Sequence, residues 1–258
     1  MEEIAIESRI HNTSLVRDET FYQFGEDTRT SVFEIFPKVF DDSRGWFSEV
    51  LKGDDLWWIK QINRSSSRGG VIRGCHAQRG WWCQAKLVEA LTEVIFDFIV
   101  DARPDSETFG VSKIYRLDPL KQNKLWVPRG FLHAFIVPSF TSLSQNHSAL
   151  FTYYCDNVYH KDAEICINPQ TIIPRNLGIL RSWCRENHEM DAMFHEVVSS
   201  PDDSWNYSEK DLNGLDYDTW MTSLKVAHDN GDLEKSLWYK CSEPPEESLS
   251  VGESEIFS

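Results

Sequence analysis

Val71-Ile72-Arg73-Gly74-Cys75-His76-Ala77-Gln78 follows a Gly69-Gly70 turn, and Lys124-Leu125-Trp126-Val127-Pro128-Arg129-Gly130-Phe131-Leu132-His133 is a strand, a tight turn and a second strand. Working outward from these two stretches, the chain shows further short strand-like runs at Ser31–Phe40, Trp57–Asn63, Gln84–Ala90, Val94–Asp101, Ser112–Leu117, Phe131–Val137 and Ala149–Tyr154. Breaks fall at Asp41–Gly45, Ser65–Gly70, Pro104–Ser106, Asp118–Lys121 and Pro128–Gly130. Strands recurring at roughly 8–12 residues predict a sandwich or a barrel. No helical pattern of similar strength interrupts them, so a βαβ sheet is excluded. The core is expected to be all-β.

The ends read differently. Residues 1–30 show weak periodicity and are expected to form an arm ahead of a core spanning 31–175. After Pro174, Leu177, Leu180, Trp183 and Cys184 recur at helical spacing, as do Met190, Met193, Phe194 and Val197. Asp218 is expected to cap another helix carrying Trp220, Met221, Leu224 and His228, closed by Asn230-Gly231. Residues 176–240 are thus expected to form a mainly helical extension, apolar enough to pack on the core or on a partner subunit. Residues 241–258, rich in Ser, Glu and Pro, are expected to form a disordered acidic tail.

With 41% hydrophobic and 13% aromatic residues, the chain has the composition of a globular protein. The net charge of −15 argues against nucleic acid as a partner, although from Pro201 onward 14 acids face only 4 bases. The main body is therefore nearly balanced, which leaves room for a basic pocket. No apolar run approaches the ~20 residues of a membrane span. Met1-Glu2-Glu3-Ile4 is acidic where a secretory leader is basic. Cys75, Cys83, Cys155, Cys166, Cys184 and Cys241 are scattered and form no CxxC, as expected of reduced thiols in a cytoplasmic protein.

Three segments carry candidate chemistry: Arg73–Gln78, Pro128–His133 and Tyr153–Glu164. The first two resemble the paired histidine motifs of the cupin superfamily, which implies a jelly-roll β-barrel. Metal cupins present an HxH pair and a glutamate in the first motif. Here that motif reads His-Ala-Gln, and His76 and His133 alone make a poor transition-metal site. No metal and no cofactor are expected. A histidine released from metal duty has an unperturbed pKa of ~6.5, suited to proton abstraction. Abstraction beside a ketone also needs a cation for the enolate oxygen and an acid on the opposite face. Lys86 and Tyr153 are of the right types.

Several runs together resemble the dTDP-4-dehydrorhamnose 3,5-epimerase family. They include Pro37–Glu49 (PKVFDDSRGWFSE), Gln61–Ser65 (QINRS), Val71–Gln78, Leu125–Phe135 (LWVPRGFLHAF) and Phe151–Glu164. The match extends from about Val32 to about Pro174. It implies an isomerase that inverts carbon 3, carbon 5 or both in a dTDP-linked, or UDP-linked, 4-keto-6-deoxy sugar. His76 would be the base, Tyr153 the acid and Lys86 the enolate's partner. Arg73 and His133 would line the sugar-diphosphate pocket. Arg44, Glu49, Gln61 and Asn63 would hold the nucleotide across a homodimer interface, with Tyr159 stacking on the base and Glu164 in the same set. Relatives on this scaffold that invert one carbon, move the keto group, or only bind a nucleotide sugar are the alternatives. The family's supporting carboxylate lies in an L-S-x-K-D segment, which is not recognised after Pro174; Glu186, Glu189 and Asp191 stand as replacements. The family's Pro-Glu-Gly turn is Pro128-Arg129-Gly130 here.

Overall fold

The computed structural model describes residues 13–17, 31–52, 58–138, 148–173 and 205–232. Along the chain the strands are β1 (Thr13–Arg17), β2 (Phe33–Pro37), β3 (Val39–Asp42), β4 (Gly45–Ser48), β5 (Gln61–Ser67), β6 (Val71–Gln78) and β7 (Lys86–Ala90). They continue as β8 (Ile95–Asp101), β9 (Ser112–Leu117), β10 (Lys124–Val127), β11 (Phe131–Val137), β12 (Ala149–Cys155) and β13 (Glu164–Cys166). Among the described residues two α-helices follow, α1 (Glu209–Leu212) and α2 (Tyr217–Asp229).

The strands form a six-stranded sheet, β1-β2-β10-β7-β12-β5, a five-stranded sheet, β13-β6-β11-β8-β9, and the separate hairpin β3-β4. Neighbours within the sheets pair antiparallel. The closed barrel expected from the sequence is not found among the described residues. The two sheets meet through a shared core, including Val88, Ile99, Phe135 and Phe151, rather than through one continuous hydrogen-bond ladder.

Alternation along β8 explains the layering. Ile95 and Ile99 face the other sheet, whereas Phe96, Phe98 and Val100 face outward. All seven residues of β8 are nonetheless buried, because a second layer covers the outer face. That layer comes from residues 205–232. Trp205, Trp220, Met221 and Leu224 pack against Phe96, Phe98 and Ile136. Each large apolar side chain fully buried contributes about 1.5–3 kcal/mol. A 13-residue helix, marginal on its own, is held in this way.

Most strand limits agree with the sequence reading, and the exceptions have physical causes. Ser65–Ser67, expected in a break, belong to β5, because the strand pairs with β12 along its whole length from Gln61↔Cys155 to Ser67↔Ala149. Pairing of an edge strand overrides a loop-like composition. The run Ser31–Phe40 divides into β2 and β3, and β1, within the expected arm, pairs with β2. Helix α2 is capped by Asp216, whose side chain accepts from Thr219 N, rather than by Asp218. Asn230-Gly231 closes it as expected, with Gly231 at φ 75°. The helical patterns at 177–184 and 190–197 and the acidic tail lie outside the described residues.

The pairing of β6 with β11 is irregular where the first motif lies. His133 pairs with His76 and Phe135 with Arg73, so two steps on β11 face three on β6. Gly74 takes up the extra residue at φ 108°. A Cβ there would stand 2.6 Å from the His133 carbonyl oxygen and 2.7 Å from Ala134 Cβ. Gly74→Ala is therefore expected to cost ~1–3 kcal/mol as an overpacked, strained site. In thermal melts this is ~2–4 °C per kcal/mol for a chain of this size. An unchanged melting temperature would show that the two strands have room to separate.

Candidate active site

Without a bulge, residues three apart on a strand face opposite sides. The extra residue at Gly74 returns Arg73 and His76 to one face, toward the space between the sheets. A cavity of about 480 Å³ opens there. Arg73, His76 and His133 enter it from the five-stranded sheet, and Ser65, Lys86 and Tyr153 enter from the six-stranded sheet. Its third wall is the stretch Asn206–Asp211. Backbone bonds Ile72 N to Asn206 O (3.0 Å) and Asn206 N to Gly70 O (2.7 Å) fasten that wall to β6.

His76 Nε2 lies 2.7 Å from Asp211 Oδ1. Ser208 caps α1 by accepting from Asp211 N at 3.0 Å, which fixes the carboxylate's position. Burial pushes the Asp211 carboxyl up, but the hydrogen bond and charge of His76 outweigh it and leave the pKa below 3.8. The carboxylate bonded to His76 is thus Asp211, in Tyr207-Ser208-Glu209-Lys210-Asp211, a segment that the sequence reading does not find after Pro174. Glu186, Glu189 and Asp191 lie outside the described residues. The S-x-K-D spelling was present in the sequence. A tyrosine in place of the leucine and the long stretch after Pro174 concealed it.

His133, the register partner of His76, has its own carboxylate: Nε2 is 2.9 Å from Asp97 Oδ2. Burial raises the Asp97 pKa, opposed by the charges of His133 and Lys86. Lys86, the first residue of β7, is half-buried. Tyr153 is also half-buried, and its pKa lies above 10.0, raised first by burial and further by Cys155 and Glu164 against the pull of Arg73. It is a protonated donor at neutral pH. Tyr154 faces the other side of β12, where its hydroxyl donates to Glu89 Oε1 at 2.7 Å. The cavity thus holds the imidazoles of His76 and His133 on one sheet and the Tyr153 phenol and the Lys86 amine on the other.

Arg73 sits at the mouth, donating from Nε to Ser67 Oγ at 2.8 Å. Four other expected site residues form a chain beside the cavity. Gln61 Nε2 donates to Asn63 Oδ1 (2.9 Å), and Tyr159 N donates to Gln61 Oε1 (2.6 Å). The exposed Tyr159 hydroxyl donates to Glu164 Oε2 (2.8 Å), which also accepts from Lys210 Nζ (2.6 Å). Glu164 Oε1 stands 3.9 Å from His76 Nδ1. Arg44 and Glu49 are not brought to this cavity. Arg44 is in the β3-β4 turn, paired with Asp42, and Glu49 follows β4, 3.7 Å from Lys52. Arg129 does not add charge to the pocket, since its Nε donates to Asp156 Oδ2 at 2.8 Å. Among the described residues, His76, Cys166 and Asp211 are grouped closely enough to hold a metal ion.

Comparison with known proteins gives a consistent result. A family model described as dTDP-4-dehydrorhamnose 3,5-epimerase matches residues 29–216, a span that includes the segment carrying Asp211. The dTDP-4-dehydrorhamnose 3,5-epimerase of Escherichia coli is 34% identical over 60% of this chain and 88% of its own length. That of Salmonella typhimurium is 37% identical over 50% and 70%. Among solved structures, a dTDP-4-dehydrorhamnose 3,5-epimerase from Elizabethkingia anophelis superposes with a TM-score of 0.58 at 29% identity, covering 81% of this chain and 98% of that one. A dTDP-6-deoxy-D-glucose-3,5-epimerase from Legionella pneumophila, in complex with dTDP-4-keto-L-rhamnose, gives 0.55 at 27% identity, covering 79% and 92%.

The lowered Asp211 pKa has a consequence for stability. Unfolded, the carboxyl binds a proton near 3.8; folded, it does so only at lower pH. Its contribution is fully present above that value and is lost as pH falls through the folded pKa. In melts between pH 4 and pH 2 (about the window of this titration), Asp211→Asn is expected to flatten the decline seen in the wild type. Parallel curves would show that the Asp211–His76 bond does not form in solution.

Proposed function

This chain belongs to the dTDP-4-dehydrorhamnose 3,5-epimerase family, and on that premise we propose that it inverts carbon 3, carbon 5 or both of a dTDP-linked 4-keto-6-deoxyhexose. The observation that carries the reading is the His76–Asp211 pair facing Lys86 and Tyr153 from the opposite sheet across one cavity. A carbonyl at carbon 4 acidifies the hydrogens on both neighbouring carbons. Asp211 holds one ring nitrogen of His76, and the other takes the proton. The Lys86 ammonium stabilises the enolate oxygen that forms. Tyr153 then delivers a proton from the other face, and that inverts the centre. Asp211 supports catalysis over mere binding of a nucleotide sugar, since a binder needs no oriented base.

The remaining residues grip the nucleotide. Arg73 reaches the diphosphate, where a guanidinium suits phosphate oxygens. Gln61, Asn63 and Glu164 lie along the approach, and the exposed Tyr159 ring offers a face for the pyrimidine. Arg44 and Glu49 reach the nucleotide site of a second subunit. The β3-β4 hairpin that carries Arg44 exposes Phe40, Trp46 and Phe47, apolar surface suited to a homodimer. The two-sheet core is read as the cupin jelly roll. Cys75, Cys83, Cys155 and Cys166 are free thiols, in keeping with a cytoplasmic location. None of the described helices is long and apolar enough to cross a membrane.

In heavy water, the protein given dTDP-4-keto-6-deoxyglucose should place deuterium at carbon 3, carbon 5 or both, and the pattern distinguishes single from double inversion. His76→Asn should lose exchange at each position by ~10²–10⁴-fold. Tyr153→Phe should lose inversion while retaining some exchange, the proton returning from the histidine side. Exchange by His76→Asn at the wild-type rate would remove the histidine from the mechanism. Light scattering at micromolar concentration should give the mass of two chains; a monomer with full activity would exclude the shared nucleotide site.

A further inference from the structure

Cys166 has no part in these proton transfers, yet it stands beside them. As the last residue of β13 it is the direct register partner of His76 on β6, so the two side chains share a face. Helix α1 brings Asp211 to the same point. Cys166 Sγ lies 3.7 Å from Asp211 Oδ1 and 3.6 Å from Lys210 O, ordinary distances for the single S–H donor to reach one or the other. One ligand atom each from His76, Cys166 and Asp211 lie within 4.8 Å of one another. Ligand atoms on a tetrahedral zinc stand roughly 3.2–3.7 Å apart at bond lengths of about 2.0–2.3 Å. The thiol–carboxylate spacing already meets this, and the histidine–carboxylate spacing of 2.7 Å needs only to widen.

We propose that His76, Cys166 and Asp211 form a binding site for a thiophilic divalent cation such as zinc, and that its occupancy switches off the proposed epimerase by taking the base. The donor set decides the class of ion. One sulfur, one imidazole nitrogen and one carboxylate oxygen select zinc over magnesium or calcium. The fourth position opens to the cavity, which His76 and Asp211 line. Burial and the charge of Asp211 push the Cys166 thiol up to about 11, so the ion binds with release of the thiol proton to solvent. The nitrogen that faced Asp211 gives up its proton to solvent and its lone pair to the cation, and the other nitrogen then carries the single ring proton, taken from solvent if it was absent. No lone pair then remains for the substrate.

The inhibitory part rests on His76 being the base; the site itself does not. Two readouts keep them apart. Zinc affinity is measured by competition with a chromophoric chelator on chelator-treated wild type, Cys166→Ser and Asp211→Asn. The wild type should bind one zinc per chain at this site, and Cys166→Ser should weaken it by at least roughly tenfold, the lower limit for losing even an outer-shell partner. Deuterium exchange is then followed with and without zinc chloride. Zinc should stop exchange by the wild type, EDTA should restore it, and magnesium should have no effect. Cys166→Ser should exchange at the wild-type rate and resist the same zinc concentration. Equal zinc affinity in wild type and Cys166→Ser overturns the site. Zinc bound through Cys166 with exchange undiminished overturns the inhibition. A wild type that exchanges nothing even without zinc counts against the epimerase reading alone, because the chelator competition still decides the site.

Discussion

Gly74 lies so close to β11 that no side chain fits between the two strands, and the site is built on that contact. The tight approach permits one extra residue in β6 opposite the His133–Phe135 step, and the extra residue changes which side chains face inward. Beyond the bulge, Cys75 and Ala77 point to the outer core while His76 points to the cavity. Were the ladder regular, Arg73 and His76 would lie on opposite faces of the sheet. The guanidinium and the imidazole meet in one cavity because a residue without a Cβ stands between them.

Two histidine–carboxylate pairs result, side by side in register, and their surroundings set them apart. Asp97 is fully buried, and burial drives its pKa up despite His133 and Lys86. Asp211 also loses solvent, but the His76 bond and charge prevail and its pKa falls. An ionised carboxylate 2.7 Å away is the partner that the proposed mechanism asks for beside a proton-accepting imidazole. Glu164, itself lowered by Lys210 and Tyr159 against the cost of burial, adds to the same field. Across the cavity Tyr153 keeps its proton, because an anion there would be poorly solvated. In the proposed reaction the carboxylate-held imidazole on one wall faces this protonated phenol on the other.

The stretch 205–232 serves two ends with one piece of chain. Trp205 and α2 seal the outer face of the five-stranded sheet, and the residues between them carry Asp211 into the cavity wall. Stability and chemistry are therefore coupled here. Loosening the helix from Phe96 and Phe98 would also loosen the carboxylate from His76.

The strands themselves were legible because each is written in local pattern. Val71–Gln78, Ser112–Leu117, Lys124–Val127 and Phe131–Val137 are found where their alternation and turn residues put them. Family membership was equally legible, because His76, Lys86, Tyr153 and their neighbours stand in short motifs with fixed spacing. Asp211 was not recognised, since its partner His76 is 135 residues away and only the fold brings them to 2.7 Å. The serines of β5 became a strand only because β12 offered a complete ladder. The direct pairing of Cys166 with His76 is likewise invisible in one dimension, where they belong to separate motifs. Local sequence determines which stretches extend and which residue types are on hand. Long-range strand pairing and the bulge at Gly74 decide which of them meet, because facing and register are properties of two strands and not of one.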